Sequence, residues 1–465
     1  MASRWPSVAL HSLVLATQAL VSVHRAHATA TMTPGAAFAV AVTATETVAI
    51  DCFGGFVRVQ VDAAPTVTAT PCSGVVTIAV TGSGAFANVF NLNAVAPADF
   101  PALVATTLDG GGGTDNLFGS QGDDLVRGGD GDDALFGGLG NDTFVWNPGD
   151  DNDILEGQGG TDTLSFNGAN LSEVVDVDSN GGRMRLFRSV ASVALDIHDV
   201  EIVDITLFGG SDFVTLHDLA GVSSLSAIRI DGGEGSDVLD ASQQVGPAVA
   251  VDFAGGPGLD TLTGSPNSDV LEGGGDTDAI AGGGGNDRVV WRSGDGDDTV
   301  DGGAGADTFV VEGSASSDGL AIAAAPGGFT LTAGAPVVSV DVAGVETLDL
   351  TTHAGADTLS TVPLPGTAQS LHGGDGIDTL SVTAGSAACD ASAPGTLTFP
   401  GGQAIAYSEF ENLALPPGCG PVVSVPTLGG MGFSLLALAL GVAGLTLLHR
   451  ALASSRSGPQ RTRPL

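Results

Sequence analysis

The chain has 465 residues, 71 of them glycine, and 53 acidic residues against 14 basic ones, for a formal net charge of −39. So acidic a body, with only 5% aromatic residues, disfavours nucleic acid and anionic lipid as partners and favours cations. The acids do not form the unbroken runs of a disordered acidic chain. They recur in register with glycine and single aliphatic residues, and the mean hydropathy is +0.30, so the spacing implies a repeated structural unit.

In chain order, Arg4 precedes an apolar stretch at residues 8–23, and Ala26-His27-Ala28 offers a small-residue cleavage point before Thr29. Residues 1–28 therefore read as a secretory signal peptide. Residues 29–107 are β-branched and alternating around 45–50, 57–61 and 75–80, which predicts a small N-terminal β-cap. Cys52 and Cys72 lie in this cap, and Cys389 and Cys419 lie far downstream. Four cysteines suit an oxidising compartment, and pairing within each flank is the simplest of three connectivities. The first pair would close a loop of about 20 residues, a constraint worth ~3 kcal/mol.

A first array then reads GGGGTDNLF from Gly110, GSQGDDLVR from Gly119, GGDGDDALF from Gly128 and GGLGNDTFV from Gly137. After an inserted Trp146-Asn147 it continues with PGDDNDILE from Pro148 and GQGGTDTLS from Gly157. The shared pattern is Gly-Gly-x-Gly-x-Asp, then x, an apolar residue, and x. Glycine permits tight turns with exposed carbonyls, and the sixth-position aspartates Asp115, Asp124, Asp133, Asp142, Asp153 and Asp162 set hard carboxylate oxygens beside them. Calcium takes six to eight such oxygens in a tolerant geometry, whereas magnesium demands stricter octahedral order. The eighth-position residues Leu117, Val126, Leu135, Phe144, Leu155 and Leu164 can point inward as a thin apolar core. Residues 109–165 hold thirteen acids against Arg127 alone, so stacked turns need a counter-ion. Ion binding and folding should be coupled.

The array resembles the RTX, or hemolysin-type, calcium-binding repeat family. The resemblance implies an all-β fold, a right-handed parallel β-roll (a β-solenoid) in which two nonapeptides make one turn and each Ca²⁺ sits between loops of successive turns on the same side. Loops bearing Asp115, Asp133 and Asp153 would stack along one side, and those bearing Asp124, Asp142 and Asp162 along the other.

Sliding the chain against itself by 145 residues aligns Val145-Trp146 with Val290-Trp291, Val200-Glu201 with Val345-Glu346, and Asp212 with Asp357, so two tandem modules are expected. Each array is followed by a β-rich connecting segment. The second array supplies Asp260, Asp269, Asp278, Asp287, Asp298 and Asp307 as metal ligands. It is more degraded, with Pro266-Asn267 replacing a glycine pair and Asp276 standing where glycine is expected, which implies fewer or weaker sites. The isolated copies around Asp237 and Asp378 lack neighbours in register by sequence and are not counted as full sites.

Residues 431–448 form an uncharged apolar stretch of 18 residues, enough for about 27 Å of helix, and Arg450, Arg456, Arg461 and Arg463 follow. Before it, Val425-Pro426-Thr427-Leu428-Gly429-Gly430-Met431-Gly432 resembles the start of the IPTL-type C-terminal sorting segment, which implies handling by an exosortase-like membrane enzyme and delivery to the cell surface. The expected division is a signal peptide (1–28), the β-cap (29–107), two calcium-binding modules (108–252 and 253–388), a β-segment with the second disulfide (389–424), and the sorting motif, transmembrane helix and basic tail (425–465).

No catalytic or organic-cofactor site is expected: HExxH, GxSxG and the phosphate-loop motif are absent, and His198, His217, His353 and His372 are scattered surface residues. The expected function is calcium binding by an exported, cell-surface structural or adhesive protein that folds on meeting extracellular Ca²⁺, with surface polysaccharide or other surface components, and the membrane through its terminal helix, as partners. The alternative is an extracellular hydrolase or polysaccharide-active protein using paired carboxylates such as Asp196, Asp199, Glu201 and Asp204.

Overall fold

The computed structural model describes residues 28–33, 37–244, 249–334, 337–383, 389, 395–400, 402–416 and 419. Most of the expected signal peptide and all of the expected sorting motif, membrane helix and basic tail lie outside them. Within the described residues there is no α-helix, and no helix is long and apolar enough to cross a membrane.

The chain winds as a parallel β-roll. Nonapeptides alternate between two sheets: Ala105–Gly112, Asp124–Asp130 and Thr143–Trp146 lie side by side in one, while Asn116–Phe118, Ala134–Leu139 and Ile154–Gly159 pair in the other. The register advances one turn per 18 residues, so Val126 faces Leu108, and Leu135 faces Leu117. Where Trp146-Asn147 is inserted the step lengthens to 20, and Leu135 faces Leu155 without loss of phase. One sheet reaches 17 strands. The other is an open ladder whose end strands, Ala64–Pro71 and Asn412–Ala414, pair with inner neighbours and not with each other.

Side-chain alternation places one residue in two between the sheets. Leu117, Val126, Leu135, Phe144, Leu155 and Leu164 are all at most 2% exposed, so the eighth position is the core position. Each contributes roughly 1.5–3 kcal/mol by burial. Trp146 stacks on Phe166 with ring centroids 4.5 Å apart, thickening the core where the first array ends.

Three strands interrupt the winding after each array. Val174–Asn180, Arg183–Arg188 and Val193–His198 run antiparallel across one sheet. The last pairs back with Ile154–Gly159 and the first pairs forward with Phe213–Leu216. Exactly 145 residues later Gly319–Ala325, Gly328–Ala333 and Val338–Ala343 repeat the excursion, so the internal duplication is a duplication of this topology. The N-terminal region has the same form: Thr47–Phe53, Phe56–Val61 and Ala64–Pro71 run antiparallel, and the first pairs forward with Val89–Asn91. It opens the same roll, since Ala37–Val42, Thr77–Thr81 and Ala105–Gly112 are consecutive strands. Cys52 is bonded to Cys72 across the opening excursion, and Cys389 to Cys419 near the far end.

Because core layers are thin and every rung leans on its neighbours, Leu164→Ala, at a fully buried position, should cost about 2–5 kcal/mol. Denaturant unfolding of the calcium-loaded chain, followed by circular dichroism, checks this.

Candidate metal centres

All twelve aspartates expected as ligands are buried, between 0% and 4% exposed, in the loops that join the two sheets. Loops leading from the first sheet to the second carry Asp115, Asp133 and Asp153 along one side. Loops leading back carry Asp124, Asp142 and Asp162 along the other. Each column is held by a ladder in which a carboxylate Oδ1 accepts the backbone N–H of the aspartate one turn earlier. Asp115 N–H donates to Asp133 at 2.7 Å and Asp133 N–H to Asp153 at 2.9 Å. Opposite them, Asp124 N–H donates to Asp142 at 2.9 Å and Asp142 N–H to Asp162 at 2.8 Å. The second array repeats this through Asp260, Asp278 and Asp298, and through Asp269, Asp287 and Asp307.

The second array keeps full register despite its degraded sequence. Asp276, in place of a glycine, adopts φ +72°, the left-handed conformation that Gly258, Gly285 and Gly305 reach at the same loop position. The copies at Asp237 and Asp378 do have neighbours, contrary to the sequence expectation. Asp212 N–H donates to Asp237 and Asp237 N–H to Asp260, while Asp357 N–H donates to Asp378. The irregular segments return the chain to phase, so Asp212 and Asp357 occupy rungs of which the sequence keeps only a Gly-x-Asp-x-apolar remnant, at residues 210–214 and 355–359.

The other carboxylate oxygen distinguishes the rungs. Oδ2 of Asp115, Asp133, Asp142, Asp162, Asp260, Asp278, Asp287 and Asp307 is buried with no hydrogen-bond partner, as is that of Asp212, Asp237, Asp357 and Asp378. An anion out of water without a partner is costly. Asp124 and Asp269 differ, because a serine at the second loop position caps both oxygens: Ser120 and Ser265 donate N–H at 2.5 and 2.6 Å and Oγ–H at 3.0 Å.

The first glycine of a loop explains the gap beside Oδ2. A Cβ placed on Gly255 would stand 2.5 Å from Asp260 Oδ2 and 2.5 Å from the Gly273 carbonyl oxygen of the next loop. Glycine therefore leaves open a space bordered by a carboxylate and a carbonyl. Buried unpartnered oxygens, a cradle that a side chain would fill, and a donor set made only of hard oxygens fit Ca²⁺. The aspartate Oδ2 atoms and the loop carbonyls would hold the ion, whose charge would offset the carboxylates. Among the described residues no three His, Cys, Asp or Glu side chains gather at one point, so backbone carbonyls must supply much of the coordination.

Internal cations do not substitute. Arg58, Arg183, Arg185, Arg229 and Arg292 pair with Asp51, Glu156 and Asp196, Asp178, Asp204, and Glu272, all outside the columns. The exception is Arg188, 3% exposed, whose Nε lies 2.7 Å from Oε1 of the fully buried Glu173, a glutamate at a sixth position. The acids considered as a catalytic cluster do not converge: Asp196 pairs with Arg183, Asp204 with Arg229, and Glu201 accepts the N–H of Asp162. His198, His217 and His353 are partly exposed and each sits beside a carboxylate, while His372 bonds Ser408.

A second ladder escaped sequence reasoning. Fifth-position side chains accept from the following turn, as in Asn141 N–H to Asp123 and Thr161 N–H to Asn141, both 2.8 Å. The recurrence of Asp, Asn, Ser and Thr at position five was the available signal.

The fold and these oxygen-lined gaps define a metal-binding parallel β-roll. The family model of the RTX calcium-binding nonapeptide repeat, in four copies, matches residues 109–144, 149–170, 229–244, 254–289 and 292–313. All twelve expected aspartates and Asp237 fall inside these segments, which cover less than half of the chain, and the match supports calcium as the ion. No curated protein matches the chain.

Without an ion, burial pushes the carboxyl groups up against the opposing pull of their backbone hydrogen bonds. Asp115, Asp133, Asp260 and Asp278 rise to about 7, and Asp153 to about 8. Asp142 reaches about 8 through burial and then the facing carboxylate of Asp124. A folded pKa above the unfolded value means that this stabilisation is complete below about 4 and is lost as pH rises through 6–8. The calcium-free chain should therefore keep more β structure at pH 5 than at pH 8, while the calcium concentration at half-saturation should rise as pH falls through 8–6, because protons compete for the same carboxylates. Circular dichroism spectra in chelator and calcium titrations across this range check the two signs.

Gly255→Ala should raise the calcium concentration at half-saturation several-fold. Gly275→Ala, where a Cβ would meet nothing closer than 3.9 Å, should leave it within twofold, as read by calorimetric titration.

Proposed function

We propose that this chain is an exported, cell-surface structural or adhesive protein whose β-roll forms when it meets extracellular Ca²⁺. The observation that carries the reading is the set of buried Oδ2 atoms without partners, repeated rung after rung beside open glycine cradles. Stacking these carboxylates without a cation opposes folding, so a chain in a calcium-poor cytoplasm stays unfolded and the external medium supplies the missing charge. Extracellular calcium modules commonly bind at about 10⁻⁴–10⁻³ M, in keeping with this trigger.

Export is supported by the leader-like residues 1–28, the sorting-like segment at 425–432 with its apolar stretch, and the two disulfides, which suit an oxidising compartment. A repetitive rod with ion-paired outer faces and no convergent catalytic cluster among the described residues suits a structural or adhesive role. Surface polysaccharide is the partner class in keeping with that location.

Titration of the full chain from chelator to 10 mM Ca²⁺ should produce a cooperative gain of β signal in circular dichroism near about 1 mM or below, and equimolar Mg²⁺ should not replace it. A spectrum indifferent to calcium, with no ion bound at saturation, refutes the reading.

A further inference from the structure

Three columns end on the same short clasp. It consists of a residue with positive φ, an apolar residue directed at the core, and a glutamate. Asp199-Val200-Glu201, Gly344-Val345-Glu346 and Glu409-Phe410-Glu411 have φ of +49°, +61° and +62° at their first residues. Val200 and Val345 are buried, and Phe410 packs against the core.

Each glutamate Oε2 accepts the backbone N–H of the last aspartate in its column: Asp162 to Glu201 at 2.7 Å, Asp307 to Glu346 at 2.9 Å and Asp378 to Glu411 at 2.8 Å. That is the bond an aspartate Oδ1 accepts at every inner rung. The carbonyl of the first clasp residue lies over the first glycine of the last loop, with Asp199 over Gly157, Gly344 over Gly302 and Glu409 over Gly373. Inner rungs place the next loop's glycine carbonyl there. Asp162, Asp307 and Asp378 are each 0% exposed, and their Oδ2 atoms have no partner. The clasp thus offers, in three residues, the carbonyl and carboxylate that a further glycine-rich loop would offer in six.

We propose that Glu201, Glu346 and Glu411 each complete a terminal divalent-cation site with Asp162, Asp307 and Asp378. The inference rests on the calcium reading above but concerns residues beyond the matched repeats, since none of the three glutamates, nor Asp378, lies within them. The separations are 39, 39 and 33 residues, and the first two enclose the antiparallel excursions. An ion at a clasp therefore fastens each excursion to the array before it, and the third fastens the C-terminal strands to the roll.

The test replaces Glu201, Glu346 and Glu411 with glutamine, singly and together, in the full chain. Glutamine keeps an oxygen for the aspartate N–H and removes the charge. Bound calcium is counted by elemental analysis at saturation, with exposed Asp218→Asn as the charge control. The expected result is one ion fewer per substitution, three fewer for the triple variant, an unchanged count for Asp218→Asn, and faster hydrogen exchange at residues 174–198 when Glu201 is changed. A triple variant that binds the wild-type complement with the wild-type midpoint overturns the clasp sites while leaving the calcium reading intact. Should the triple variant fail to fold, Glu411→Gln at the end of the roll decides, and an undiminished count overturns the proposal. A wild-type chain that binds no calcium overturns both.

Discussion

A carboxylate buried once per turn on each side of the roll, facing the next in its column, is the constraint around which this molecule is built. Its Oδ1 fixes register by accepting a backbone N–H one turn away, so the aspartate is both a structural staple and an unsatisfied anion. The two roles are inseparable. The hydrogen bond that aligns the loops also holds the carboxylates close together, where their repulsion is strong and weakly screened. The glycine cradles beside the unpartnered Oδ2 atoms leave room for positive charge to enter from outside.

The protein solves the problem of a buried acid in three ways, and the differences between rungs show which ones ask for an ion. Most rungs leave Oδ2 open. At Asp124, Asp269 and Asp318 a serine two positions into the loop supplies both hydrogen bonds, which lowers the demand for a cation. At Glu173 the guanidinium of Arg188 supplies the charge itself, beside the Trp146 ring at 5.3 Å. The corresponding positions 145 residues later are Asp318 and Ala333, so the second copy has a serine cap where the first has an ion pair. The two halves share a topology and differ in how this junction is neutralised.

The antiparallel excursions divide the columns. On the side carrying Asp115 the ladder breaks after Asp153 and resumes at Glu173, because the inserted strands displace the next loop along the sheet axis. On the other side the ladder passes Asp162 and closes on Glu201. The aspartate columns are therefore finite units within continuous sheets, and in a quasi-one-dimensional fold each unit can gain or lose order with its immediate neighbours.

What the sequence by itself determined is the local unit. A nine-residue period with an apolar residue at position eight marks short strands with a shared core face, and the resemblance to the RTX repeat, with two periods to a turn, implied which aspartates share a side. The ladder then steps 18 residues from Asp115 to Asp133 and 20 from Asp133 to Asp153, across the Trp146-Asn147 insertion. The all-β class and the aspartate rungs were legible because both depend on contacts between neighbouring repeats. Tertiary structure decided what happens where the period lapses. Asp212, Asp237, Asp357 and Asp378 stand in register because strands 21 to 39 residues apart pair, and Glu201 had shown as an aligned position in the duplication and as one of the paired carboxylates of the hydrolase alternative, not as a rung. The N-terminal region, expected as a β-cap, continues the same sheet through Thr77–Thr81 and Ala105–Gly112. Pairing across such distances is set by the phase of the whole winding, which no local pattern of residues carries.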